Sequence, residues 1–378
     1  MMWLRTLIGF TTLSGSDSNL ELLACVEEAL ARRGFRTCYS RSPDGGRANL
    51  LASIGDGPGG LLLSGHTDVV PVAGQAWTHS PFALTEDGTR LYGRGTCDMK
   101  GFIACVLGAV EAADLGRLAQ PLHIALTYDE EIGCVGVRGL IDHLRNSGIR
   151  PSACIVGEPT GMQVVRAHKG RHAFRCHVRG QAAHSSLAGT GVNALVAASR
   201  IVGLVSDRAE RLKVDEHDDG FYVPYSTMAP CRFAAGHANN VIPESAEFDF
   251  DLRFLPSTDP DAVIAPILDA AARIGQGMRS VVADAEVRIE RRTAVPALAR
   301  SRDADAIAAL ALQAGASSGP NVAFTTEGGL YQQAGIPAIV CGPGDIAQAH
   351  TADEFIETSQ LAAADAFLAR MLALPGRP

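Results

Sequence analysis

The stretch Leu61-Leu62-Leu63-Ser64-Gly65-His66-Thr67-Asp68-Val69-Val70-Pro71 decides the fold. Three consecutive leucines predict a strand buried on both faces. The run stops at Ser64-Gly65, and His66 and Asp68 follow at once. In open α/β sheets, ligands bind just beyond the carboxyl ends of strands. His66 and Asp68 are two residues apart, so on an extended backbone they point the same way. Two readings fit this stretch alone. One is a metal-ligating or catalytic histidine with an orienting carboxylate. The other is a core histidine hydrogen-bonded to a capping aspartate.

Upstream, residues 18–35 carry apolar side chains at helical spacing: Leu20, Leu23, Val26 and Leu30. Ser18 with Glu21 reads as a capping box, and Gly34 as the stop. A strand at 49–54 and the turn Gly55-Asp56-Gly57-Pro58-Gly59-Gly60 then predict a hairpin into the Leu61 strand. No Gly-Lys-Ser/Thr follows those glycines, so they do not form a phosphate loop. Residues 1–15 resemble an amphipathic first helix more than a signal peptide.

Downstream, two further buried strands end in acids. Residues 122–131 close on Asp129, Glu130 and Glu131, and residues 153–158 close on Glu158. The pattern then changes to alternating strands, starting with Arg171-His172-Ala173-Phe174-Arg175-Cys176-His177-Val178-Arg179, as half-exposed antiparallel strands do. Strand, helix, strand, strand, helix and strand follow in the ferredoxin-like order. The fold class is therefore α/β: a catalytic domain with a mixed, largely parallel sheet and helices on both faces, plus an inserted β-α-β-β-α-β domain. The expected boundaries are 1–166 with 294–378 for the first, and 167–293 for the insertion.

Composition narrows the function. The 378 residues are 47% hydrophobic and 20% charged, a globular profile, with a formal net charge of −8. Lys100, Lys169 and Lys213 are the only lysines, and the arginines are scattered. No nucleic-acid footprint or membrane-surface helix is indicated, and no apolar run is long enough to span a membrane. Nine cysteines without a CxxC pair suit a reducing cytoplasm. Cys97 adjoins a candidate ligand but is read as a packing residue rather than a nucleophile.

The chemistry lies in the strand ends. His66, Asp68, Asp98, Glu130, Glu131, Glu158 and His350 converge on one sheet edge, where unpaired buried charge is costly. One or two divalent cations relieve the repulsion. Two imidazoles and several carboxylates suit Zn²⁺, with Co²⁺ or Mn²⁺ as substitutes.

The segments SGHTDVVP, YGRGTCDMKG, DEEIG, GEPTG and QAHTADEF stand here in the order seen in the two-zinc amidohydrolases and metallopeptidases. That family groups acetylornithine deacetylase, succinyl-diaminopimelate desuccinylase, aminoacylase and glutamate carboxypeptidases, and the chain resembles it over nearly its whole length. The resemblance implies that His66 and Glu158 hold one zinc, that Glu131 and His350 hold the other, and that Asp98 bridges both. It implies that Asp68 orients His66 and that Glu130 is the general base toward a metal-bridging water. The peptide after Asp98 is expected to be cis.

The same resemblance implies a homodimer through the inserted domain, which also acts as a lid, with His184 reaching the partner's site as an oxyanion donor. Arg253 and Asn240 match positions that grip a substrate carboxylate. For Arg253 a pairing with Asp249 or Asp251 is the alternative. Thr325, Thr326 and Glu327 lie near the presumed metal edge, where Glu327 either reads a cationic amine or caps a helix. The motifs GRGTCDMKGF, TYDEEIGCVGVRG and GPGDIAQAHTADEF are most similar to acetylornithine deacetylase. They imply a small N-acyl amino acid substrate, N2-acetyl-L-ornithine, cleaved to ornithine and acetate in arginine biosynthesis. Desuccinylase, aminoacylase or dipeptidase activity is the alternative within the family. A non-catalytic metal-binding homologue is disfavoured by the full ligand set.

Overall fold

The Leu61–His66 strand lies inside a six-stranded sheet, with every residue buried. The computed structural model describes residues 1–374. Across the sheet, the strands run Arg36–Arg41, Ala48–Ile54, Leu122–Thr127, Leu61–His66, Ala153–Pro159 and Ala338–Gly342. The last four are mutually parallel, and the first two join antiparallel at one edge. The sheet is mixed and largely parallel, as the continuous apolar runs require.

Alternation along the strand distributes its two faces. Leu61 and Leu63 join the core packed around Phe102 and Ile103 of the Lys100–Ala112 helix. Ser64 points the other way and bonds Tyr331 of the Gly328–Gln333 helix at 2.9 Å. Helices therefore cover both faces. Each fully buried leucine contributes about 2 kcal/mol. Gly65 is required for the close approach: a Cβ there would lie 2.9 Å from Met99 Cε and 3.1 Å from Ile103 Cγ1.

The expected hairpin across residues 55–60 is not formed. Leu122–Thr127 inserts between the two strands, antiparallel to Ala48–Ile54 and parallel to Leu61–His66. The glycine turn is a crossover loop that skips one strand position. Gly60, at φ +100°, passes so close to Pro121 that a Cβ would lie 2.3 Å from its carbonyl oxygen. The capping box is also displaced. The helix is Leu20–Arg32 with Asn19 at the cap position and no side-chain cap bond. Asn19 instead bonds Ala48 on both backbone groups and Thr67 Oγ1, which ties the helix start to the sheet. Ser18 accepts only the Leu20 N–H, at 3.3 Å.

Two compact units emerge: residues 1–167, 298–321 and 326–374, and residues 168–297 with 322–325. The second unit holds an antiparallel sheet in the order Thr227–Ala235, Ser245–Phe254, Gly170–Arg179, Glu286–Val295. Its chain order of strand, helix Ala194–Asp215, two strands, helix Pro260–Arg279 and strand is ferredoxin-like. Its last strand runs to Val295, beyond the expected return at 294. Residues 322–325 associate with this unit because Val322 bridges His168 and Thr325 Oγ1 donates to the Lys169 carbonyl. Among the described residues, no helix is long and apolar enough to cross a membrane.

Candidate metal centre

Beyond the carboxyl ends of the parallel strands, the first unit gathers His66, Asp98, Glu130, Glu131, Glu158 and His350. His66 ends its strand and is 1% exposed. Asp98 precedes the Lys100–Ala112 helix, and the Asp98–Met99 peptide is cis, as expected. Glu130 and Glu131 follow the Leu122–Thr127 strand, and Glu158 lies in Ala153–Pro159. His350 is half exposed, on a loop at φ +63°.

The two oxygens of Asp98 face one imidazole each. Oδ1 accepts from His66 Nε2 at 3.0 Å, and Oδ2 lies 3.3 Å from His350 Nε2. His350 Nε2 is 3.0 Å from Glu131, and His66 Nε2 is 3.6 Å from Glu158. Two sets of three ligand atoms fall within 4.8 Å of one another: His66, Glu130 and Glu158, and His66, Asp98 and Glu131.

The electrostatics show the strain of this crowding. Burial pushes Glu158 and Glu130 well above the ordinary carboxylate range, with Asp98 adding to the effect at Glu158. Burial, then Asp98, raises Glu131 to about 7. Burial also acts on Asp98, but the hydrogen bonds from His350 and His66 hold it well below its usual value. The bonds to Asp98 and Glu131 raise His350 to about 10. Among the described residues, the four acids Asp98, Glu130, Glu131 and Glu158 share the imidazoles of His66 and His350. Added divalent charge fits this donor set, because hard carboxylate oxygens and imidazole nitrogens already face common points.

Asp68 acts differently from expectation. The group closest to His66 Nδ1 is the Asp68 backbone oxygen, at 2.8 Å; its carboxylate is 3.6 Å away. The carboxylate accepts instead from Ser14 Oγ at 2.7 Å and from the backbone N–H groups of Glu130 at 3.1 Å and Glu131 at 3.3 Å. One residue therefore orients the imidazole through its main chain and fixes two neighbouring acids through its side chain.

Thr326 and Glu327 are 0% and 1% exposed, as deeply buried as the cluster residue His66 at 1%. Thr326 Oγ1 accepts the Gly328 N–H at 3.0 Å, and Glu327 accepts from Ser64 Oγ at 3.1 Å. Burial raises Glu327 to about 7, and it makes no side-chain cap bond to the helix it precedes. The two glycines after Glu327, which read as a turn, begin a buried helix instead.

His184, Asn240, Arg253 and Thr325 belong to the second unit. Within it, Ala183–His184 pairs with Val241–Ile242, and the Asn240 carbonyl accepts the Ser185 N–H at 2.9 Å. His184 is exposed, with Nδ1 2.8 Å from Ser186 Oγ. Arg253 lies 3.3 Å from Asp251, and its side chain stays 36% exposed. Burial, above all, raises the Cys97 thiol far above its usual range, which disfavours the reactive thiolate.

Sequence reasoning missed several residues around the cluster. Lys100 is fully buried, donates to the Leu7 and Phe10 carbonyls, and is lowered to about 7 by burial. Ser14, Gln75, Arg94 and Glu354 were likewise unassigned, although Arg94 and Glu354 lie within recognised segments. Their contacts join residues far apart in sequence, which no local pattern reports.

The family model described as Peptidase family M20/M25/M40 matches residues 62–374. The chain belongs to that family. It is a metal-dependent hydrolase of the peptidase and amidohydrolase type. It is 35% identical to an acetylornithine deacetylase of Salmonella arizonae over 352 residues, which is 93% of this chain and 90% of that protein. Its fold is similar to an M20 family metallo-carboxypeptidase from Sulfolobus solfataricus, with a TM-score of 0.80 at 20% identity, covering 98% of both chains. It is also similar to a dinuclear metal binding peptidase of the M20 family from Bacillus subtilis, with a TM-score of 0.65 at 16% identity, covering 98% of this chain and 96% of that one.

Proposed function

We propose that the protein is a two-metal deacetylase of small N-acyl amino acids, with N2-acetyl-L-ornithine as its substrate in arginine biosynthesis. The observation that carries this reading is Asp98, whose two carboxylate oxygens each face a different histidine. The 35% identity to an acetylornithine deacetylase supports the substrate.

His66 and Glu158 would hold one cation, Glu131 and His350 the other, with Asp98 shared. Zn²⁺ suits these ligands, and Co²⁺ or Mn²⁺ can replace it. Bound there, the pair supplies Lewis acidity that polarises an amide carbonyl and makes water more acidic. Glu130 acts as general base, taking a proton from the attacking water and passing it to the departing amine. Its carboxyl is buried and its backbone is fixed by Asp68, so the base has little freedom to wander. His184 is assigned to the oxyanion, and Arg253 and Asn240 to the substrate carboxylate. Thr325, Thr326 and Glu327 are assigned to substrate contacts.

The outer Thr227–Ala235 strand is mostly exposed at a sheet edge, which supports a homodimer through the second unit. Nine cysteines without a disulfide support a reducing, cytoplasmic setting. The test is a panel of substrates offered to the metal-loaded protein. Preference for N2-acetyl-L-ornithine is expected. Preference for succinyl-diaminopimelate, other N-acyl amino acids or dipeptides would move the assignment to a desuccinylase, aminoacylase or dipeptidase.

A further inference from the structure

A buried ion pair joins two loops that each carry a candidate ligand. Arg94 and Glu354 are both 1% exposed and meet at 2.7 Å. A buried pair of this kind is weak evidence for stability, because desolvation offsets much of the attraction. Its connections are more telling. Glu354 Oε1 accepts the backbone N–H groups of Gly95 at 3.0 Å, Cys97 at 2.9 Å and Asp98 at 3.1 Å. One carboxylate oxygen thus fixes the main chain into Asp98.

The other arm reaches His350. Arg94 Nη2 donates to Gln75 Oε1 at 2.5 Å, and Gln75 Nε2 donates to the His350 carbonyl at 2.8 Å. Trp77 closes over the guanidinium, with its ring centre 5.0 Å away and Nε1 bonded to Gln75 Oε1 at 3.2 Å. Asp353 adds a brace by accepting the Thr78 and His79 backbone N–H groups at 2.9 and 3.0 Å. His350 needs such support, since it is half exposed at a positive φ that few non-glycine residues adopt.

We propose that Gln75, Arg94 and Glu354 are positioning residues that set the spacing of Asp98 and His350, and so fix the affinity of the metal subsite those ligands share with Glu131. The His66–Glu158 subsite has no such connection through His350 and depends on the relay far less. The inference rests on the two-metal reading above. Partners that orient metal ligands are typically worth about 10–100-fold in affinity.

The experiment measures metal affinity rather than turnover. Chelated protein is titrated with Zn²⁺ by calorimetry, with thermal melting of the apo forms as a folding control. In a Glu158→Ala background the remaining ion occupies the Asp98–Glu131–His350 subsite, and Gln75→Leu should weaken it at least tenfold. In a His350→Ala background the remaining ion occupies the His66–Glu158 subsite, and Gln75→Leu should leave it unchanged. Gln75→Glu retains the acceptor for Arg94 and Trp77 but loses the donor to the His350 carbonyl. It should therefore match Gln75→Leu. Unchanged affinity in the Glu158→Ala background, equal weakening in both backgrounds, or unimpaired binding by Gln75→Glu overturns the inference while leaving the two-metal reading intact. Fewer than two ions bound by the wild-type chain overturns both.

Discussion

The carboxylate of Asp68 accepts the backbone N–H of Glu130 at 3.1 Å, so the proposed base is held by the residue whose carbonyl orients His66. Asp68→Asn keeps one carbonyl acceptor but turns an amide donor either toward the Glu130 N–H or toward the Glu131 N–H and Ser14 Oγ. The expected result is a kcat at least tenfold lower with metal content nearly unchanged, measured by steady-state kinetics beside elemental analysis. Equal losses of metal and kcat would assign Asp68 to metal retention instead.

His66 is different, because its ring nitrogen itself faces Asp98 and Glu158. His66→Ala should lose one metal equivalent on dialysis. Two equivalents retained by the variant would remove His66 from the ligand set.

Glu327 tests the substrate contacts. It is 1% exposed, bonded to Ser64, and lies close enough to His66 and Glu130 to interact with both electrostatically. Glu327→Gln, which removes the charge available to a cationic substrate amine, should raise KM for N2-acetyl-L-ornithine about tenfold with unchanged folding. A KM within about twofold of wild type would remove Glu327 from the substrate contacts.

The second unit carries its own pH dependence. His168 is fully buried, with Nδ1 bonded to the Lys169 carbonyl and no partner for Nε2 among the described residues. Burial lowers it to about 4, and burial followed by Arg291 lowers His172 to about 4 as well. Folding therefore favours the neutral rings. Their contribution is complete above the ordinary histidine value near 6.5 and is lost as pH falls from there toward 4. For His168 the full effect is on the order of 3 kcal/mol. Amide protection factors in Gly170–Arg179, corrected for the slower intrinsic exchange in acid, should fall between pH 7 and pH 5, and His168→Leu should reduce that slope by about half. An unchanged slope would exclude His168 as its source.

Much of this architecture was legible because its signals are local. A run such as Leu61–Leu63 announces a buried strand, and a histidine or acid after it announces a site at the strand's end. The alternating segment around Phe174 likewise announced the change to an antiparallel sheet. What escaped was nonlocal. The turn at 55–60 looks the same whether its strands pair or a third enters between them, and only the position of Leu122–Thr127 decides. Asn19 and Ser18 are both good caps, and the sheet contact with Ala48 decides which one serves the helix start. Asp68 was assigned through its side chain, but a backbone carbonyl makes the closer bond and leaves no mark in sequence. Arg94 and Glu354 meet across 260 residues, so neither predicted the other.

The most direct test of the central claim is a Zn²⁺ titration of chelated wild-type and Glu130→Gln proteins, following ornithine release from N2-acetyl-L-ornithine and metal bound in the same samples. The account predicts no turnover without metal, full turnover at two equivalents, and two equivalents bound by Glu130→Gln with activity about 10²–10⁴-fold lower. Turnover by the metal-free protein, or full activity in metal-loaded Glu130→Gln, would contradict it.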